Sequence, residues 1–100
     1  MFNLQSWFGG DSSNRETAHA WVKRGALLLD VRTREEFASG HVNGALNIPL
    51  QELAHRTQEL SGADRSIVVY CRSGGRSASA AQLLRRQGYA VHDLGPMSAW

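Results

Sequence analysis

The sequence predicts an α/β fold built on a parallel sheet covered on both faces, and three observations carry that expectation. The runs Ala26-Leu27-Leu28-Leu29-Asp30-Val31 and Ser66-Ile67-Val68-Val69-Tyr70 are too continuously apolar for strands with one wet face. Segments of helical periodicity alternate with them, which implies right-handed crossovers between parallel strands. A loop rich in glycine and arginine follows the second run, and ligands of such sheets bind beyond the carboxyl ends of the strands.

Each element has a local justification. Ser13-Asn14-Arg15-Glu16 fits a capping box, so a helix is expected to start there, with Ala18, Trp21 and Val22 on its buried face and Gly25 at its end. Thr33-Arg34-Glu35-Glu36 is a second capping box, opening a short helix through Phe37 that Gly40 closes. Asn43-Gly44 is a tight turn, and Ala45 to Ile48 is a brief strand stopped by Pro49. Leu50, Leu53, Ala54 and Leu60 suit one amphipathic helix, with residues 61–64 as its exit loop. A helix from Ser77 turns Ala78, Ala81, Leu83 and Leu84 inward and Arg85 and Arg86 toward water, ending at Gly88. Tyr89 to Leu94 is the last strand, and Gly95-Pro96 turns the chain.

With 100 residues the chain accommodates one domain and a sizeable core. We divide it into residues 1–12, an arm or edge strand carrying Phe2, Leu4, Trp7 and Phe8, and a domain over residues 13–100. The net charge of +2 comes from interspersed groups, which argues against nucleic acid or an anionic membrane as a partner. No apolar run reaches the roughly 18 residues of a membrane span, so no stable membrane insertion is expected. The single cysteine excludes an internal disulfide, no secretory leader is evident, and the expected location is the cytoplasm.

That cysteine lies in Tyr70-Cys71-Arg72-Ser73-Gly74-Gly75-Arg76-Ser77, which has no acidic residue. A lone cysteine after an apolar run is commonly just a small buried hydrophobe. Here its neighbours argue for chemistry. A thiol pKa falls from about 8.5 to roughly 3.5–7.5 near cations or a helix amino terminus, and Cys71 is expected to have both. Arg72 and Arg76 supply charge, and Gly74 and Gly75 let successive NH groups turn inward toward a thiolate or a bound anion. The composition therefore points to Cys71 as nucleophile, with Arg72, Ser73, Gly74, Gly75, Arg76 and Ser77 binding an anionic substrate.

Three ordered motifs then carry a resemblance. Asp30-Val31-Arg32 with Glu36-Phe37, Gly40-His41-Val42, Gly44-Ala45 and Asn47-Ile48-Pro49 is similar to the first signature of the single-domain rhodaneses, a sulfurtransferase family. Cys71 to Ser77 resembles the family's active-site loop, and Gly88-Tyr89, Leu94-Gly95, Met97 and Trp100 resemble its closing segment. Pro96 departs from the family, which often has a glycine there, and the first ten residues match nothing in it. The resemblance implies a three-layer α/β/α arrangement with a five-stranded parallel sheet. It also implies transfer of a sulfane sulfur from a small anionic donor such as thiosulfate, through a Cys71 persulfide, to cyanide, a thiol or a sulfur-accepting protein.

Asp30, Arg32, Glu36 and His41 read as structural support: Asp30 and Arg32 stand at a strand end, Glu36 is expected to pair with Arg32, and His41 to pack or hydrogen-bond. His19, His55 and His92 lack metal-ligand spacing, so neither a metal nor another cofactor is expected. Two alternatives stay open. One is a non-turnover sulfur carrier or binding module. The other is a cysteine phosphatase, which needs a longer loop than the four residues between Cys71 and Arg76.

Overall fold

The computed structural model describes residues 10–60 and 66–100. Helix α1 (Gly10–Lys23) leads into strand β1 (Leu27–Asp30), α2 (Arg34–Ala38), β2 (Leu46–Asn47) and α3 (Leu50–Leu53). A 3-10 turn (Thr57–Leu60), β3 (Ser66–Cys71), α4 (Gly75–Arg86), β4 (Ala90–Pro96) and a last 3-10 turn (Met97–Ala99) complete it. The strands pair in the order β2-β1-β3-β4, all parallel.

Alternation along the two central strands explains why both runs are apolar throughout. Leu29, Ile67, Val69 and Cys71 face one layer, where they meet Leu53 and Leu60 together with Ala80, Ala81 and Leu84 of α4. Leu28, Val68 and Tyr70 face the other, against Ala18, Trp21 and Val22 of α1 and Trp100. Side chains on a strand project alternately, so a sheet covered on both faces needs apolar groups at every position. Each fully buried Leu, Ile or Val in these layers contributes about 1.5–3 kcal/mol.

Several expectations are corrected. The sheet has four strands among the described residues, not five; most of the proposed amino-terminal edge strand, residues 1–9, lies outside them. From Gly10 the chain is already helical, so α1 runs across the 12/13 boundary and Ser13 is not a cap. The Ser13 carbonyl instead accepts the Thr17 hydroxyl at 2.9 Å. A cap contributes only about 1 kcal/mol, and tertiary contacts outweigh it: Asn14 donates to the Leu94 carbonyl at 2.8 Å and Arg15 to that of Ala99 at 3.1 Å.

The single helix expected over Leu50 to Leu60 is instead the one turn of α3 followed by a 3-10 turn. Arg56 bridges the break with ion pairs to Glu52 and Glu59, and both Leu53 and Leu60 still reach the core. The exit loop assigned to 61–64 is outside the described residues. Gly95-Pro96 is not a turn beyond the strand but its end. Tyr70 pairs with Gly95 where Val69 pairs with Asp93, so Leu94 is an inserted residue and the strand bulges. Gly95 has φ +84°, and Pro96 is tolerated where β4 is the edge strand among the described residues.

Candidate active site

Strand β3 ends at Cys71, and α4 starts only four residues later. The short connection makes the thiol face the free NH groups of the helix. Gly74, the residue before α4, has φ +108° and no side chain with which to cap it. The sulfur of Cys71 takes the cap's place, accepting the NH of Gly74 at 2.9 Å and that of Ser77, in the first turn of α4, at 3.3 Å. An ordinary cap satisfies the same class of NH with a serine or aspartate oxygen. Of the two glycines thought to carry unusual angles, only Gly74 has a positive φ; Gly75 is already helical.

Two opposing effects act on the thiol. Burial pushes its pKa up, and hydrogen bonds from the Ser77 hydroxyl and the backbone NH groups of Ser77, Gly74 and Ser73 pull it down further than burial raises it. The net result is a pKa below the ordinary thiol value. The Ser77 hydroxyl also donates to the Gly74 carbonyl at 3.1 Å, so its one proton serves either neighbour. Both the arginines and the NH groups at the helix start were expected to supply this effect; the NH groups do so, and the Ser77 hydroxyl adds to them.

Arg76 is turned away from that role by Glu36. Its guanidinium meets the Glu36 carboxylate through two hydrogen bonds, at 2.6 and 3.0 Å. The expected Glu36–Arg32 pair is absent because Arg32 precedes α2 and folds back along β1. It clasps Asp30 at 2.7 Å, both side chains almost wholly buried, and donates to the Gly40 carbonyl at 2.7 Å. Glu36 is aimed by the capping box of α2: it accepts the Thr33 NH at 2.9 Å, while its own NH reaches the Thr33 hydroxyl at 3.1 Å. Hydrogen bonding from Arg76, and then from the Thr33 backbone, pulls its pKa down to about 2.

Arg72 and Ser73 are exposed, and Arg72 forms no ion pair among the described residues. It borders a cleft of about 350 Å³ whose other walls are Arg32, Glu36, Ser39, Gly40 and Met97. Cys71 itself is 0% exposed. His41 lies outside the loop, stacked on Phe37 at 3.6 Å and bonded to its carbonyl at 2.8 Å. A second hollow, bounded by Trp21, Arg24, Gly25, Ala26, Ser66 and Ala90, opens at the amino ends of the strands, the end away from the thiol.

Three contributors were not singled out from the sequence. Tyr70 accepts the Val42 NH at 3.2 Å through its hydroxyl, and burial raises its pKa to about 12. Asn47 ties the end of β1 by donating to the carbonyls of Asp30 and Arg32, at 3.0 and 2.9 Å. Met97 is the apolar wall of the cleft. Asn47 and Met97 each had a signal, the one in its place at a strand end within the first motif and the other in its place within the closing segment. Among the described residues no three His, Cys, Asp or Glu side chains form a metal-binding group, and no helix is long and apolar enough to cross a membrane.

Comparison with known proteins agrees with this geometry. A sulfurtransferase of Allochromatium vinosum is 41% identical over 76 residues, covering 74% of this chain and 70% of that protein. The human thiosulfate:glutathione sulfurtransferase is 40% identical over 77 residues, 64% of this chain and 67% of its own length. The solved structure of a human single-domain sulfurtransferase superposes with a TM-score of 0.63 at 33% identity, covering 85% of this chain and 86% of that one. In other relatives the match is partial: it spans 51% of a Bacillus subtilis protein and 20% of an HTH-type transcriptional regulator of Mycobacterium tuberculosis. Residues 14–100 match the model of the rhodanese-like domain. With that match, a parallel sheet and a thiol set at the start of a helix, the chain belongs to the rhodanese-like domain family.

Proposed function

We propose that the chain is a sulfurtransferase that moves a sulfane sulfur from an anionic donor such as thiosulfate to cyanide or a thiol, through a persulfide on Cys71. The observation that carries this reading is the Cys71 sulfur accepting NH groups from Gly74 and Ser77 at the start of α4. These donors favour the thiolate, which is the nucleophile, and they stabilise the persulfide anion that replaces it.

In the first half-reaction the Cys71 thiolate attacks the outer sulfur of thiosulfate. A new S–S bond forms, the bond to the sulfonate sulfur breaks, and sulfite departs with its electron pair, leaving a persulfide anion on Cys71. In the second, cyanide or a thiolate attacks the terminal sulfur, giving thiocyanate or a new persulfide and restoring the thiolate. Arg72 meets the sulfonate end at the mouth of the site. Ser73 to Ser77 line the remainder of the anion pocket. Because Cys71 is fully buried, donor entry requires a local opening around the sulfur. With one cysteine in the chain, the acceptor comes from outside, either a small thiol or a sulfur-accepting protein. A thiolate nucleophile of this kind suits a reducing compartment such as the cytoplasm.

Intact-mass measurement after thiosulfate treatment tests the reading. A gain of one sulfur atom, absent in Cys71→Ser, is expected; no persulfide with any common donor would sink it. Formation of thiocyanate with turnover separates an enzyme from a carrier that only holds sulfur. Hydrolysis of an aryl phosphate, lost in Cys71→Ala, would favour a phosphatase instead, although the loop of four residues between Cys71 and Arg76 is short for a phosphoryl group.

A further inference from the structure

Three arginines stand around the cleft and the loop, and two of them are already paired. Arg32 is neutralised by Asp30 and Arg76 by Glu36, which leaves Arg72 as the cation without a carboxylate partner among the described residues. The Glu36 carboxylate borders the cleft that Arg72 borders. It is anchored from two sides, because its Oε1 accepts both the Thr33 NH at 2.9 Å and the Arg76 guanidinium at 2.6 Å. A carboxylate with nothing to do but cap a five-residue helix would not need to meet a guanidinium from the start of α4.

We propose that Glu36 is a positioning residue that sets the charge of the site: it holds Arg76 aside in a bidentate pair, so that Arg72 alone receives the anionic end of the donor and sulfite is not retained after transfer. This rests on the sulfur-transfer reading above. Thiosulfate and sulfite are both anionic, so a second unpaired cation would bind substrate and product alike. Such uniform binding lowers KM and slows product release without helping the chemical step. Glu36 removes that cation while keeping Arg76 fixed over the first turn of α4. Arg76 senses the Cys71 charge as well as Glu36, so releasing it is felt at the sulfur.

Thiosulfate binding, measured by calorimetry in a Cys71→Ser background where no transfer occurs, separates the roles. Arg72→Ala is expected to weaken binding about tenfold, and Arg76→Ala combined with Glu36→Ala, which removes the pair whole, to change it by less than about threefold. Glu36→Gln is expected to tighten it by about three- to tenfold, because one negative charge leaves the cleft. With Cys71 intact, Glu36→Gln is further expected to shift the thiolate absorbance titration to lower pH, lower KM for thiosulfate, lower kcat and strengthen inhibition by sulfite. A residue that merely braced the fold would move none of these in that direction. Unchanged or weaker thiosulfate binding in folded Glu36→Gln overturns the proposal. So do equal losses in Arg72→Ala and in the double variant Arg76→Ala with Glu36→Ala, which decide the matter even if Glu36→Gln does not fold. If wild-type protein forms no persulfide, the sulfur-transfer reading fails, whereas the order of anion affinities still judges Glu36.

Discussion

The backbone NH of Ser77 points at the sulfur of Cys71 from 3.3 Å, and the Ser77 hydroxyl lowers the pKa of the same thiol. Cys71 ends a strand and Ser77 lies in the first turn of a helix, so one sharp connection makes a nucleophile and its stabiliser neighbours.

Replacing Ser77 by Ala is expected to raise the Cys71 pKa, since it removes a hydrogen bond to the charged form while burial still opposes ionisation. The sign follows from the folded value lying below the ordinary one: with the hydroxyl gone, the thiolate forms only at higher pH than in the wild type. Persulfide formation at a pH below both the old and the new pKa should slow by about tenfold, in line with about 1.5 kcal/mol for a hydrogen bond to a charged group. Thiolate absorbance against pH checks it; an unmoved titration would remove Ser77 from the account.

Gly74→Ala is expected to destabilise the protein by about 1–2 kcal/mol, because its φ of +108° is costly for a residue with a Cβ. A Cβ would also come within 3.9 Å of the Gly95 Cα, an ordinary contact, so the cost is conformational and not a clash. Denaturant unfolding measures the loss, and persulfide formation should fall as well, since Gly74 also donates to the sulfur.

The buried pair of Asp30 and Arg32 predicts an asymmetric result. Asp30→Ala leaves a buried guanidinium without its carboxylate and should cost about 3–5 kcal/mol, whereas Asp30→Ala with Arg32→Met should cost less than that single change. Chemical denaturation of both variants decides it. Equal losses would mean that the charge pair matters less than the bond from Arg32 to the Gly40 carbonyl.

Glu36 should leave a mark on acid stability. Its folded pKa of about 2 lies below the ordinary 4.5, so its contribution is complete above about 4.5 and is lost as pH falls toward 2. Both side chains of the Glu36–Arg76 pair are partly exposed, at 24% and 32%, and solvent screening reduces the effect. Relative to wild type, Glu36→Gln should flatten the stability profile between these pH values; parallel profiles would show that the pair adds no stability.

Much of the site was legible because its signals are local. Leu27 to Leu29 and Ile67 to Val69 announce doubly covered strands by lacking any polar alternation. Thr33 and Glu36 announce a helix start by spacing alone, and the structure has that capping box. Ser13 and Glu16 carry a similar pattern, yet α1 begins at Gly10, because contacts from Asn14 and Arg15 to the far end of the chain outweigh a cap. Spacing likewise misassigned the partner of Glu36. It suggested Arg32, four positions away, when the true partner is 40 positions along the chain.

By itself the sequence determined the class of fold, the strand that delivers Cys71 and the pair of glycines at which the chain turns back into a helix, because hydrophobic period and backbone freedom are properties of neighbouring residues. Only the tertiary structure decided which charges cancel. It paired Arg32 with Asp30 and Arg76 with Glu36, left Arg72 at the cleft, and brought the Ser77 hydroxyl to the thiol beside the expected NH groups. The reason is physical: an ion pair forms between whichever groups the packed sheet and helices bring within about 4 Å of each other, and distance along the chain does not enter.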